Sequence, residues 1–257
     1  MRIARFTTGE DPRFGVVEDD RIAVVVGDPL FTPIQYTGER VPAEDARLLA
    51  PVIPRSKVLG VGRNYADHAA ELGNDLPAEP LVFLKPNTSV IGPGDPIVLP
   101  AQSREVHYEG ELAIVIGRLC RDVPVERVHE VILGYTCAND VTARDLQRAD
   151  GQWWRAKGFD TFCPLGPYLV TGLDLAAAGD LGVTTRLDGE VVQQARTSQM
   201  VFDIARLVTH ISAAMTLLPG DVILTGTPAG VGAITAGQRV EVEIEGFGVL
   251  GNPVVRR

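Results

Sequence analysis

Long apolar stretches are missing from this 257-residue sequence. No run of eighteen or more apolar residues occurs, which argues against a membrane-spanning helix. Cysteine is scarce: Cys120, Cys137 and Cys163 are odd in number and widely spaced. They suit neither a disulfide framework nor a zinc site, so reduced, buried thiols are expected. Basic blocks are absent as well. With 24 Lys+Arg against 33 Asp+Glu the formal net charge is −9, so neither nucleic acid nor an anionic membrane is an expected partner. Met1-Arg-Ile-Ala-Arg-Phe6 puts charge where a signal peptide needs an apolar segment, and a cytoplasmic location is expected.

What is present is a globular composition, 45% hydrophobic and 22% charged. The length suits one ordinary domain plus a small appendage. Residues 1–53 read as a small β-rich N-terminal domain, with strands over 2–8, 14–18 and 21–26 separated by Gly9-Glu-Asp-Pro12 and Glu18-Asp-Asp20. A weak helix is expected over 43–49. Pro51 and Pro54 bracket a linker into the main domain, 54–257. There, strands are expected over 57–62, 81–84, 97–99, 109–116, 131–138, 168–170, 183–187, 190–196, 222–224, 239–244 and 249–255. Asp188-Gly189 marks a type I′ hairpin. Helices are expected over 65–72, with Asn64 as N-cap and Gly73 as stop, over 141–149, and over 203–214. The first is only two turns long and marginal in isolation, which suits a mobile lid. Many glycine-punctuated strands and few helices predict an α+β fold with a mixed β-roll, barrel-like core.

Tyr108-Glu-Gly-Glu-Leu-Ala-Ile-Val-Ile-Gly117 carries the first chemistry. In a strand, Glu109, Glu111, Ala113 and Val115 share one face. Both faces turn apolar, as in a buried strand. Two carboxylates at its start therefore face mutual repulsion and desolvation, which a divalent cation relieves. An isolated Glu-x-Glu is more often a solvated strand end. The apolar continuation shifts the reading modestly towards metal, with Asp140 as third ligand. All-oxygen ligation favours Mg²⁺, Mn²⁺ or Ca²⁺ over zinc.

His68 and Glu71 stand at i and i+3 on the lid helix, where a carboxylate fixes and activates an imidazole. An ordinary surface pair fits that spacing at least as well. Lys157 and Lys85 are candidate cations for an anionic ligand, although lysines are mostly just solvated. Thr225-Gly-Thr-Pro-Ala-Gly-Val-Gly232 is a small-residue loop whose N–H groups and Thr227 hydroxyl can cradle a carboxylate. It has neither the Lys-Ser/Thr of a phosphate loop nor dinucleotide-binding spacing.

These stretches, in this order, resemble the fumarylacetoacetate hydrolase family. The resemblance rests on Gly62-Arg-Asn-Tyr-Ala-Asp-His68, Phe83-Leu-Lys-Pro86, Tyr108-Glu-Gly-Glu-Leu112, Asn139-Asp-Val-Thr-Ala-Arg-Asp-Leu-Gln147, Lys157-Gly-Phe-Asp160, the Thr225–Gly232 loop and Gly251-Asn-Pro-Val254. It covers about residues 55 to 257. It implies a β-roll catalytic domain, a homodimer, and one Mg²⁺ or Mn²⁺ held by Glu109, Glu111 and Asp140. It also implies catalytic His68, Glu71 and Lys157, and substrate contacts from Gln147, Thr227, Arg63 and Lys85. The N-terminal part resembles that of short bacterial members. The implied partner is a small anionic 2-oxo acid. The implied activity is hydrolysis of a C–C bond in an acylpyruvate-type 2,4-dioxo acid through an enolate. The alternative is isomerisation, tautomerisation or decarboxylation of a 2-hydroxymuconate-type diacid or oxaloacetate. A metal-stabilised binding module without turnover is the third reading.

Overall fold

Strands dominate, and most of them join one sheet. The computed structural model describes residues 1–71, 73 and 75–256. A twelve-stranded sheet runs in the order Tyr36–Pro42, Arg21–Val25, Arg13–Glu18, Arg2–Thr7, Cys163–Thr171, Ile132–Asn139, Gly110–Ile116, Val222–Leu224, Val58–Gly62 and Leu81–Lys85. Arg47–Leu49 joins it beside Arg2–Thr7, and Val90–Ile91 beside Cys163–Thr171. Most neighbours are antiparallel; Val222–Leu224 and Val58–Gly62 are parallel. The fold is thus α+β with mixed sheets, but the barrel-like expectation is corrected. Among the described residues the two ends of the strand path do not pair. The Tyr36–Pro42 end strand is exposed at six of seven positions, as an unpartnered edge is.

A five-stranded sheet (Glu190–Arg196, Gly182–Leu187, Arg239–Ile244, Gly248–Arg256, Ile97–Leu99) packs on the large one. Leu112, Ile114 and Tyr135 from the large sheet meet Val183, Val242, Ile244 and Leu250. The helix Ile204–Ala214 joins this core through Ile204, Leu207, Val208 and Ile211, each worth roughly 1.5–3 kcal/mol when buried. Its N-cap is Asp203, which accepts from the Arg206 N–H at 2.7 Å. The other face of the same central strands packs Ala113, Val115 and Ala138 against Ile3, Val52 and Leu169. Gly110–Ile116 is therefore buried at every position, as its two apolar faces predict. The Asp188-Gly189 turn has both φ angles positive, 52° and 89°, as a type I′ hairpin requires.

Several local expectations are revised. The helix over 43–49 is a 3₁₀ turn, Ala43–Asp45, followed by the strand Arg47–Leu49. The open ladder of Arg2–Thr7 offers those residues backbone partners that outweigh weak helix propensity. The helix over 141–149 begins only at Arg144, because Thr142–Ala143 pairs with Val106–Tyr108. The lid helix is Ala66–Glu71, and residue 72 of its expected body lies outside the described residues. Asn64 does not cap it. Its fully buried amide donates to Phe202 O and Thr225 O and accepts from Phe202 N–H, tying three segments together. The strand expected over 109–116 starts at Gly110, which leaves Glu109 at the break between Val106–Tyr108 and Gly110–Ile116.

Candidate active site

Strand pairing assembles three carboxylates. Gly110 lies opposite Asn139 and Glu111 opposite Ala138, so the chain leaving Ile132–Asn139 delivers Asp140 beside both glutamates. Asp140 N–H donates to Glu109 O (2.8 Å), and Glu109 N–H to Asn139 Oδ1 (2.9 Å), which fixes the two backbones against each other. Oxygens of Glu109, Glu111 and Asp140 lie within 4.8 Å of one another, and all three residues are buried.

Three buried cations surround them. Lys157 Nζ donates to Glu109 Oε2 (2.7 Å) and Asp140 Oδ2 (2.6 Å). Lys85 Nζ donates to Asp140 Oδ1 (2.5 Å) and Val141 O (3.4 Å). Arg144 donates from Nη2 to Glu109 Oε1 (2.5 Å) and from Nη1 to Gln147 Oε1 (2.7 Å). Burial opposes ionisation of Glu109, but Lys157 and Arg144 outweigh it and hold the carboxyl well below its usual range. Lys157 is likewise raised, its desolvation outweighed by Asp140 and Glu109. Glu111 differs. Among the described residues, its one hydrogen-bond donor is Gly226 N–H, at 2.6 Å. Burial, then Asp140 and Glu109, push its pKa well above the usual range.

The glycine loop is tied to the carboxylate strand by Gln193. Its Oε1 accepts from Gly110 N–H (3.0 Å), while Nε2 donates to Thr227 Oγ1 and Pro228 O, both at 2.8 Å. Thr227 Oγ1 in turn donates to Gly110 O (3.0 Å). The threonine hydroxyl proton is thus already engaged. A β-bulge aims Gln193 inward: Thr185 pairs with Gln193 and Arg186 with Val191, leaving Val192 as the extra residue. Gly230 lies against that bulge at φ +97°, where an added Cβ would stand 2.1 Å from Val192 O.

The lid helix rests on this loop. Both Glu71 carboxylate oxygens accept from Gly230 N–H, at 3.1 and 3.2 Å. His68 Nδ1 is 3.5 Å from Glu71 Oε2, within ion-pair reach, yet has no hydrogen-bond partner among the described residues. Burial first, with Arg144 and Lys157, lowers the His68 pKa against the pull of Glu109, so the imidazole is neutral at pH 7.

A cavity of about 300 Å³ opens over these groups. Arg63, His68, Glu109, Glu111, Gln147, Lys157 and Thr227 line it. Asp140 lies beneath it between the two lysines, Lys85 behind Asp140, and Glu71 behind His68. Arg63 adopts a left-handed conformation, φ +57°, at the turn into the lid. Arg144 and Arg148, which sequence reasoning passed over, also line the cavity, as does Trp153 from the stretch 152–155 expected to meet the distal half of the substrate. Arg144 had a readable signal, since a cation in the first turn of a helix opposes the helix dipole. Gln193 had none, because the bulge that aims it is a tertiary feature.

The donor set fits a divalent ion. Three converging carboxylates supply only oxygen, and among the described residues Glu111 is a buried carboxyl without a salt-bridge partner, the position a hard cation would satisfy. With the ion added, the centre gains net positive charge suited to a small dianion.

The family description fumarylacetoacetate (FAA) hydrolase C-terminal matches residues 57–255, and the description Rv2993c-like, N-terminal matches residues 1–51. The chain is 53% identical to Protein Rv2993c of Mycobacterium tuberculosis over 264 residues, covering 100% of this chain and 99% of the relative. It superimposes with a TM-score of 0.92 and 53% identity on the crystal structure of 5-carboxymethyl-2-hydroxymuconate delta-isomerase from Mycobacterium smegmatis, covering 100% of both chains. It is 44% identical over 223 residues to the mitochondrial oxaloacetate tautomerase Fahd2a of Rattus norvegicus, covering 84% of this chain and 71% of that one. The chain belongs to the fumarylacetoacetate hydrolase family.

Proposed function

We propose that this enzyme is a divalent-metal-dependent tautomerase or isomerase of small 2-oxo acids, working through an enolate. The observation that carries the reading is the Glu109–Glu111–Asp140 cluster with Lys157 Nζ held 2.6–2.7 Å from two of its members in one cavity. Sequence reasoning put C–C hydrolysis first. The isomerase and tautomerase relatives support proton transfer instead, and that alternative is adopted here.

Glu109, Glu111 and Asp140 would hold Mg²⁺ or Mn²⁺, which when bound supplies Lewis-acid polarisation of a 2-oxo group. The Lys157 ammonium offers positive charge to the oxygen on which enolate charge develops. Arg144, Gln147 and Arg63 bind carboxylate oxygens, with Thr227 and its loop on the opposite side. His68, neutral through burial, accepts the C3 proton. Returned to the 2-oxygen, that proton gives a tautomer; returned to a carbon further along a conjugated chain, it gives an isomer. Trp153 and the lid keep bulk water from the enolate.

Hydrolysis is a second reading, favoured by the His68–Glu71 pair, which is also the arrangement that activates water. A product-resolved assay separates the two. Oxaloacetate, a 2-hydroxymuconate-type diacid and acetylpyruvate are supplied with Mg²⁺ or Mn²⁺ and with chelator. The proposal predicts ion-dependent keto–enol or double-bond interconversion without chain cleavage. Ion-dependent release of acetate from acetylpyruvate, without interconversion of the diacids, would overturn it.

A further inference from the structure

A second cavity, of about 320 Å³, shares no lining residue with the active-site cavity. Its walls are apolar: Ile3, Phe14, Leu30, Val52, Leu133 and Leu169. One strand position breaks the pattern. Along Arg2–Thr7, Ile3 and Arg5 point to the same face, opposite Ala4 and Phe6. Arg5 therefore brings a guanidinium into a chamber whose other charged lining residues are Asp28 and Arg55.

That guanidinium is half-buried. Among the described residues it makes no ion pair and no hydrogen bond; burial lowers its pKa, with Asp28 the only nearby charge opposing the shift. Asp28 spends one carboxylate oxygen on Leu30 N–H, at 2.9 Å. A second cation, Arg55, stands at the rim with its guanidinium 4.3 Å from the Phe31 ring centroid. Arg5 and Arg55 against Asp28 leave one net positive charge, which suits a monoanion. The lining residues come from the N-terminal strands, from the later strands beside them in the same sheet and from the segments 28–30 and 51–55, and clefts of this kind, apolar with a few polar groups, commonly hold small ligands.

We propose that this chamber is a binding site for a small amphipathic monocarboxylate, with one ring or a short chain against the apolar walls and its carboxylate on Arg5. A planar guanidinium pairs bidentately with a carboxylate, so the head group sets the specificity. The walls are also structural neighbours of the catalytic centre. Ile3, Val52 and Leu169 pack in the same cluster as Ala113, two residues after Glu111, and Ala138, two residues before Asp140.

Calorimetric titration with phenylacetate, 2-phenylethanol and phenethylamine tests the site, because the three probes share a ring and differ in charge. Wild-type protein is expected to bind phenylacetate at least ten-fold more tightly than either other probe. Arg5→Met should abolish that preference while leaving the melting temperature and turnover unchanged. Leu133→Trp, which fills the chamber, should remove phenylacetate binding altogether. Equal binding of the three probes, no saturable phenylacetate binding, or a preference that survives both substitutions would overturn the proposal. The last result would place the carboxylate elsewhere, including the active site.

Discussion

The carboxylate centre and the helix that covers it are held in very different ways. Glu109 is fixed by Lys157, Arg144 and Asn139, and Asp140 by two lysines and a backbone bond, all buried. The lid helix has six residues, one carboxylate on a glycine N–H, and a histidine whose Nδ1 has no bond among the described residues. A network in which most members are satisfied is rigid, whereas a two-turn helix with few anchors opens at little cost. In the proposed reaction, enolate formation falls on the rigid part. On the proposed mechanism, the step that separates tautomerisation from hydrolysis would depend on the loosely held part.

The sharpest way to break this contrast is Lys157→Met. It leaves Glu109 and Asp140 short of a buried cation, at a cost of about 3–5 kcal/mol in stability. It also removes the charge beside the enolate oxygen, so kcat should fall about 10³-fold. Thermal melts and steady-state kinetics check both. His68→Ala should lower kcat about 10²-fold with a melting temperature close to wild type, since the imidazole already lacks one bond. Equal losses of stability in the two variants would remove the distinction between rigid centre and loose lid. Gln193→Leu strands Gly110 N–H and Pro228 O, which should cost about 1–3 kcal/mol and raise KM more than it lowers kcat. The smallest effect belongs to Glu71→Gln. Its carboxylate is partly exposed, so stability should change by less than about 1 kcal/mol, and faster hydrogen exchange should be confined to 66–71.

Legibility from sequence follows the same division. The strand 110–116, the Asp188-Gly189 turn and the helix over 204–214 were readable because hydrophobic period and turn chemistry are local. The Glu109–Glu111–Asp140 set was readable in part, since two carboxylates heading a buried strand need a counter-charge. Asp140 was named as the third from its place at the end of the strand expected over 131–138, and strand pairing brings the three together. Tyr36–Pro42 was missed because an exposed edge strand carrying Gly38 and charged residues shows no alternation. The helix over 43–49 was misassigned because a ladder partner more than forty residues away decided it. Arg144 stood inside a quoted motif, but its bridge from Glu109 to Gln147 exists only once strand and helix have packed. Thr227 lines the cavity, and its hydroxyl also donates to Gly110 O and accepts from Gln193, two partners that only the folded loop brings to it.

Deuterium exchange at C3 of a 2-oxo diacid, followed by proton NMR in D₂O, tests the central claim most directly, because it reports enolate formation before the reaction commits to any product. The account predicts rapid C3 exchange that needs Mg²⁺ or Mn²⁺, is abolished in Lys157→Met and is strongly slowed in His68→Ala. Exchange that persists with chelator present, or turnover without any C3 exchange, would contradict it.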